Sequence, residues 1–544
     1  MTHKYKLLIA LTATIAFGAS SCTKKFNTIN TNPDGLYPSQ LNTDYQNLGA
    51  QLNQAQLNIL NYIDYNYQVQ QNLNADIFSG FMMSPDPFQG NINNTNYALV
   101  PGWNGTAWDL AYSNVMGPIN YVLNQTNTPQ YAPFYAWAKI LRVEAMHRVS
   151  DIYGPIIYTK YGTVNADGSV SYDSQADAYS AFFSDLDSAI STLTASNTAS
   201  TTHTAPFAQF DLVYAGSYAE WIKFANTLRL RLAIRVSLIN PTLGQQEGEK
   251  SLNDAGGLMA VGGLPGAGGD DAYINIGSAN PNPITQIANL YGDICMGAPL
   301  LCYMNGFNDP RISQYAQKAT DAAVAGQYIG IRQGIQIDAD GRYAGYSLPV
   351  NFPNQLLLMT SAEAWFLKAE AALRGWNGAG DAGTDYTTGI TTSMNQYSIG
   401  NTAAQAYITN TTNTEQQYID PKSVVAGQNN VTTGSPNLST IDVAWSDGDA
   451  FQTKLQKIIT QKWIAMFPEG QEAWSEFRRT LYPTLFPVVV NNSGGTISST
   501  KFIRRLPFAS DEYSTNPAGT AAAVTLLGGP DNGGTRLWWD TNPQ

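Results

Sequence analysis

Four segments of this chain space large apolar and small side chains three and four residues apart, and a helix can bury such a stripe only against other elements. Trp137, Ile140, Leu141, Ala145 and Val149 share one face, and that segment stops before Tyr153-Gly154-Pro155. Trp221, Phe224, Ala225, Leu228, Leu232 and Val236 form a longer stripe that ends at Asn240-Pro241. Ala362, Trp365, Phe366, Ala369, Ala372 and Leu373 form a third, closed by Arg374-Gly375, a basic last turn followed by a glycine cap. Leu455, Ile458, Ile459, Trp463 and Met466 form the fourth, with Pro468 as its stop. Alanines beside aromatic residues let helices approach closely, as in stacked helix pairs of the tetratricopeptide kind. No run alternates strongly enough to require a large sheet. The expected fold is therefore mainly α, a tetratricopeptide-like helix-pair scaffold with long irregular loops. The longest of these, rich in Gly, Asn and Pro, are expected over 240–310 and 375–450.

The amino terminus reads as an address. Lys4 and Lys6 precede an apolar run, Leu7 to Phe17, that is too short to span a bilayer. The small residues Gly18-Ala19-Ser20-Ser21 then lead to Cys22, the attachment point expected of a lipid anchor. Residues 1–21 are thus a signal peptide to be removed, 22–40 a lipidated polar tether, and 41–544 a single helical domain. Acyl chains contributing about 0.8 kcal/mol per buried methylene would make the attachment essentially permanent. Cleavage removes two lysines and no acid, so the formal charge moves from −12 to −14. That balance excludes a phosphate-neutralising nucleic-acid surface and an electrostatic grip on anionic lipid. Charged residues are 13% of the chain, against a usual ~25%. Asn, Gln, Thr, Ser and Tyr supply neutral hydrogen-bonding groups instead, which suits an uncharged polyhydroxylated ligand.

Few residues here can do nucleophilic or metal chemistry. With Cys22 lipidated, Cys295 and Cys302 could close a small disulfide loop or pack as two buried thiols, and their spacing leaves both open. His3 leaves with the signal, so only His147 and His203 remain. A histidine-rich metal site is excluded, and a Ser/His/Asp triad has poor material. No cofactor is indicated, and a structural calcium is neither required nor ruled out. Arg229, Arg231 and Arg235 on one helical segment, with Glu363, Glu370, Glu472 and Glu476 on others, read as interhelical ion pairs, because paired charges tolerate burial. Trp137, Trp221, Trp365, Trp463 and Trp474 read as core, and Trp108 with Tyr112 as the start of a helix. The loop aromatics Phe88, Tyr97, Trp103, Tyr291, Tyr303, Tyr343 and Tyr346 are the candidate ligand-binding residues. An aromatic face stacks on the C–H face of a sugar ring while nearby Asn and Gln amides bond its hydroxyls. The alternative is a carboxylate-dependent glycoside hydrolase. Asp270, Asp271, Asp338 and Asp340 are its candidate acids, and it needs a pair about 5–5.5 or 6.5–9.5 Å apart.

Several motifs taken in order resemble the RagB/SusD-like outer-membrane lipoproteins. They begin with Asn30-Thr31-Asn32-Pro33 after the anchor and Asp151-Ile152-Tyr153-Gly154-Pro155, which lacks the acidic residue usual between Gly154 and Pro155. The helix Trp221 to Arg235, the turn Asp309-Pro310-Arg311 and the helix Ser361 to Ala371 follow. Gln461-Lys462-Trp463, Glu472 to Arg479 and Arg504-Arg505-Leu506-Pro507-Phe508 complete the set. The resemblance covers essentially the whole chain and is strongest to the second SusD-like subgroup. It implies a non-catalytic nutrient-binding protein, tethered to the outer membrane and facing the cell surface. The implied partner is a SusC-like TonB-dependent transporter, over which such proteins act as lids, and the implied ligand an oligosaccharide or other polar nutrient. Lys24 and Lys25 depart from the acidic residues common just after the cysteine of surface-exported relatives.

Overall fold

Helices carry the structure, a computed structural model that describes residues 43–542. Those of eight or more residues are α1 (Gln46–Ile59), α2 (Pro101–Leu110), α3 (Gly117–Thr126), α4 (Ala132–Tyr153), α5 (Gln175–Ala199), α6 (Tyr218–Val236) and α7 (Pro241–Leu252). They continue with α8 (Ala298–Gly306), α9 (Ser361–Leu373), α10 (Ala382–Gln396), α11 (Asn401–Ile408), α12 (Phe451–Ala465), α13 (Gly470–Thr480) and α14 (Pro517–Leu527). Contacts group the described residues from Ala50 onward into one compact unit, separate from the few before it. Cys22 and the 22–40 tether lie outside the described residues.

The four stripes found in the sequence fall on α4, α6, α9 and α12, with Met466 of the last standing just past the end of α12. Consecutive helices α4, α5, α6 and α7 pack each on the next, α6 also packs on α9, and α9 packs on α10 and α12. This is the tetratricopeptide-like stack expected. Ser174, Ser217 and Thr360 cap α5, α6 and α9, each accepting from the backbone N–H three residues on, where Asp177, Glu220 and Glu363 stand. Gly154 ends α4 at φ +94°, and a Cβ there would also meet Leu527 at 2.9 Å. Two short antiparallel pairs complete the fold: β1 (Met82–Met83) with β3 (Cys295–Met296), and β2 (Ala272–Asn275) with β4 (Gln355–Met359).

Of Trp137, Trp221, Trp365, Trp463 and Trp474, all but Trp365 are core. Phe207 stacks on Trp137 at 4.2 Å, Trp221 sits edge-on to Trp137 at 5.9 Å, and Trp463 donates to the Ser79 carbonyl at 2.9 Å. Trp365 is only half-buried: its N–H reaches the Ala260 carbonyl, and the Lys368 ammonium lies 4.2 Å from its ring centroid.

Where α4, α6, α9, α12 and α13 meet, the interior is ionic. Arg231 grips Glu363 with two bonds of 2.8 and 2.7 Å, and Arg479 grips Glu370 with bonds of 2.7 and 2.6 Å. Arg235 bonds Glu472 and lies 3.3 Å from Glu476, while Lys462 sits 3.5–3.8 Å from Glu363, Glu472 and Glu476. Burial opposes the charge on Glu476, yet Arg479, Lys462 and Arg235 outweigh it and hold its carboxyl well below the usual range. On Glu472 burial wins, pushing it up to about 7 despite Arg235 and Arg231. Arg229 stands apart, paired with Asp187 at 2.6 Å.

The structure decides one open alternative and corrects one expectation. Cys295 and Cys302 are separate buried thiols, not a disulfide. Cys295 lies in β3 with its Sγ toward the Tyr343 carbonyl, while Cys302 in α8 packs among Ala298, Tyr418, Val431 and Phe486. The stretches 240–310 and 375–450 are also less irregular than expected. The first contains α7 and α8 and the second α10 and α11, leaving 409–450 as the long loop.

Candidate ligand-binding face

Three of the seven candidate aromatics reach solvent, and they fall in two clusters on adjoining segments. Proline at the first helical position starts α2 early, which places Trp103 in its first turn and not in a loop. Phe88 lies in the single turn Phe88–Asn91, where positive φ at Gln89 and Gly90 bends the chain back. The Phe88 and Trp103 rings meet edge to face with centroids 5.9 Å apart, both half-buried. The second cluster pairs Tyr65, 59% exposed, with Tyr291, 41% exposed. Tyr291 donates its hydroxyl to the Asp64 carboxylate, which raises its pKa. Tyr65 went unnoticed in the sequence, because the run Tyr62-Ile63-Asp64-Tyr65-Asn66-Tyr67 does not say which ring faces out. The one-turn helix Asp64–Tyr67 decides it, burying Tyr67 and exposing Tyr65.

A π-helical turn, Gln68–Asn72, packs against α2 and against the short helices Asp64–Tyr67 and Pro283–Gln286. It joins the two clusters and adds polar groups. Gln68 Nε2 donates to Asp293 Oδ2 at 2.6 Å. The carboxyls of Asp293 and Asp86 are raised by partial burial, and in Asp86 further by Asp293 and Asp340 nearby. Beside Phe88 and Trp103, an open groove of about 410 Å³ is lined by Gln89, Ile92, Tyr97, Pro101, Asn492 and Asn532. Aromatic faces with amide and carboxyl partners between them can stack on and hydrogen-bond a sugar chain.

The other four candidates are placed differently. Tyr97 is 5% exposed and reaches only the groove wall, at φ +65°. Tyr303 is core, donating to the Thr484 carbonyl at 3.3 Å. Tyr343 and Tyr346 are buried and both donate to Asp420 at 2.8 Å, a clasp on the 409–450 loop completed by Asn429. Buried rings offer a ligand no face. The asparagines around Phe88 are also mostly spent internally: Asn91 exchanges bonds with Ile337, Asn93 caps the Thr95 N–H, and Asn94 bonds Asn104 and the Val100 N–H. They shape the face and do not present amides to it.

Three of the four acids of the hydrolase alternative are engaged too, and Asp340 is exposed. Asp270 pairs with Lys223 at 2.8 Å and accepts from the Ala260 and Val261 N–H groups. Asp271 accepts from Ser361 and Gly263, and its burial pushes it up to about 6. Asp338 forms an ion pair with Arg342. Among the described residues no cluster of three or more His, Cys, Asp or Glu is placed to hold a metal ion, and no helix is long and apolar enough to cross a membrane.

Residues 28–540 match the model of the SusD-like family, described as Susd and RagB outer membrane lipoprotein. Among solved structures, a chitin-binding SusD homolog from Flavobacterium johnsoniae is 41% identical with a TM-score of 0.85, over 91% of this chain and 99% of that one. A SusD homolog from Bacteroides vulgatus is 37% identical with a TM-score of 0.82, over 92% and 99%. A SusD-like protein from Bacteroides thetaiotaomicron is 32% identical with a TM-score of 0.83, over 91% and 99%. A search of curated proteins gave no significant match.

Proposed function

The chain belongs to the SusD-like family of outer-membrane lipoproteins, and from that premise we propose that it is a non-catalytic glycan-binding protein, held to the membrane by acyl chains on Cys22 and working as the lid of a SusC-like TonB-dependent transporter. The observation that carries this reading is the face formed by exposed Tyr65 and Tyr291 with half-buried Phe88 and Trp103. On a chain with so few charges, these are accessible rings set among polar groups and not a sealed core. The relative that binds chitin makes a β-linked N-acetylated glycan the first ligand to try. Capture needs no proton transfer, only contacts to the ligand that favour the closed lid over the open one.

Calorimetric titration of the purified lipoprotein with chitooligosaccharides and a panel of other soluble glycans tests the ligand side. Saturable binding to one glycan class is expected, weakened about tenfold or more by Trp103→Ala or Tyr291→Ala, since an aromatic contact is worth about 1–3 kcal/mol. Binding that survives Trp103→Ala, Tyr291→Ala and Tyr65→Ala together would remove this face from the account. Release of shortened sugars by the pure protein, abolished by a single carboxylate-to-amide change, would replace binding with hydrolysis. Outward display is checked by protease shaving of intact cells, where cleavage before the outer membrane is breached is the expected result.

A further inference from the structure

A separate cavity of about 380 Å³ lies behind the glycine-rich loop that precedes β2. None of Tyr65, Phe88, Trp103 and Tyr291 lines it. Its mouth lies between exposed Leu264 and the exposed residues Asn351 and Pro353, and its walls carry the rings of Tyr67, Tyr273, Phe352 and Tyr397. Asp76, only 1% exposed, also lines it. Its Oδ2 accepts from Asn72 at 3.2 Å, while its Oδ1 lies against the backbone of Gly470 without a well-formed hydrogen bond, and Oε1 of Gln396, whose amide nitrogen is taken up by the Tyr273 hydroxyl, has none either. Buried acceptors left open in this way are rare, because each costs the full desolvation of the group.

The charges around the cavity do not balance. Glu469 is the second acid on its wall, and Arg148, the nearby cation, is engaged by Glu469 at 2.6 Å and Glu144 at 2.8 Å. The positive end of α13 is already met by Glu469, which accepts from the Glu472 N–H, and by Asp76 beside Gly470. When ionised, Asp76 is met by the Asn72 amide and the end of α13, with no cation among the groups that act on it. Burial first, and then Glu469, push its carboxyl up to about 7, which Asn72 and the Gly470 N–H offset only in part.

We infer that this cavity is a second, internal binding site for a small organic ammonium ion, whose N–H donors meet Asp76 and whose body lies among the Tyr67, Tyr273, Phe352 and Tyr397 rings. A cation among aromatic faces is favoured further by their quadrupoles, whereas a ligand bearing its own carboxylate is repelled by Asp76 and Glu469. The inference is independent of the glycan-binding reading.

The test is calorimetric titration of the detergent-solubilised lipoprotein with tyramine and with tyrosol, its neutral alcohol counterpart. Tyramine is expected to bind one to one and about tenfold or more tighter than tyrosol, a difference of about 1.4 kcal/mol. Asp76→Asn should remove that preference. Leu264→Trp, which narrows the mouth without touching the interior, should weaken tyramine about tenfold, and Trp103→Ala should leave it unchanged. Equal affinity for the amine and the alcohol, or tyramine binding untouched by both Asp76→Asn and Leu264→Trp, would overturn the inference.

Discussion

Arg231 and Glu363 face one another with essentially no exposed surface, so each is the other's main reason for being tolerated inside. Replacing Arg231 with Met leaves Glu363, Glu144 and Glu472 short of a cation. The expected loss is about 3–5 kcal/mol of stability, read from the midpoint of urea unfolding; a loss below about 1 kcal/mol would show that Lys462 takes over its role. Asp76 behaves in the opposite sense. Unfolded, it loses its proton near 3.8; folded, it keeps it to about 7. Between these values the folded chain holds more protons, so the group's contribution is complete below pH 4 and falls as pH rises toward 7. Asp76→Asn should therefore gain on the wild type between pH 4 and 7.5, by up to about 4 kcal/mol. Unfolding curves at both ends of that range check this, and a pH-independent difference contradicts it. Paired charges were legible in the sequence because both partners sit on helical stripes. The exposure of single rings was not. Tyr343 and Tyr291 look alike in the chain, and only the distant Asp420, 77 residues after Tyr343, decides that one is buried.

At the scale of elements, helices with an apolar stripe declared themselves and helices without one did not. α10, with the sequence AGTDYTTGITTSMNQ, is mostly Thr, Gly and polar residues and stands because α9 covers its buried face. Its small residues are what allow the close approach: a Cβ on Gly389 would come within 2.9 Å of the Phe366 ring. Local composition reads such a segment as loop, since its reason for being helical lies on another helix. The same logic gives α7 its glycines. Gly248 faces Trp376, and a Cβ there would fall 2.2 Å from the indole. Helix propensity alone would make Gly248→Ala stabilising by about 1 kcal/mol. The clash with a large buried ring outweighs that, and a net loss of about 1–3 kcal/mol in thermal or urea unfolding is the expected result. A gain would mean that Trp376 swings away without cost.

For the whole molecule, the division of labour is between a stapled interior and an adaptable face. The ionic junction of α4, α6, α9, α12 and α13 and the aromatic core fix the scaffold, while the exposed rings ride on one-turn helices, a π-helical turn and the first turn of α2. Loops of that kind can change between relatives without disturbing the stack, which is why the family was readable from collinear motifs and the ligand was not. The motifs are scaffold: Arg311 of the Asp309-Pro310-Arg311 turn bonds Asp309, Ser393 and Gln461 in the interior, and Arg505 holds the Tyr153 carbonyl at the end of α4. The central claim is that this scaffold serves a transporter. Isolation of the tagged lipoprotein from its native outer membrane in mild detergent, with mass spectrometry of what accompanies it, tests that claim most directly. The account predicts a TonB-dependent barrel in stoichiometric amount. Recovery of the lipoprotein alone, with Cys22 acylated and a control complex intact in the same preparation, would contradict it.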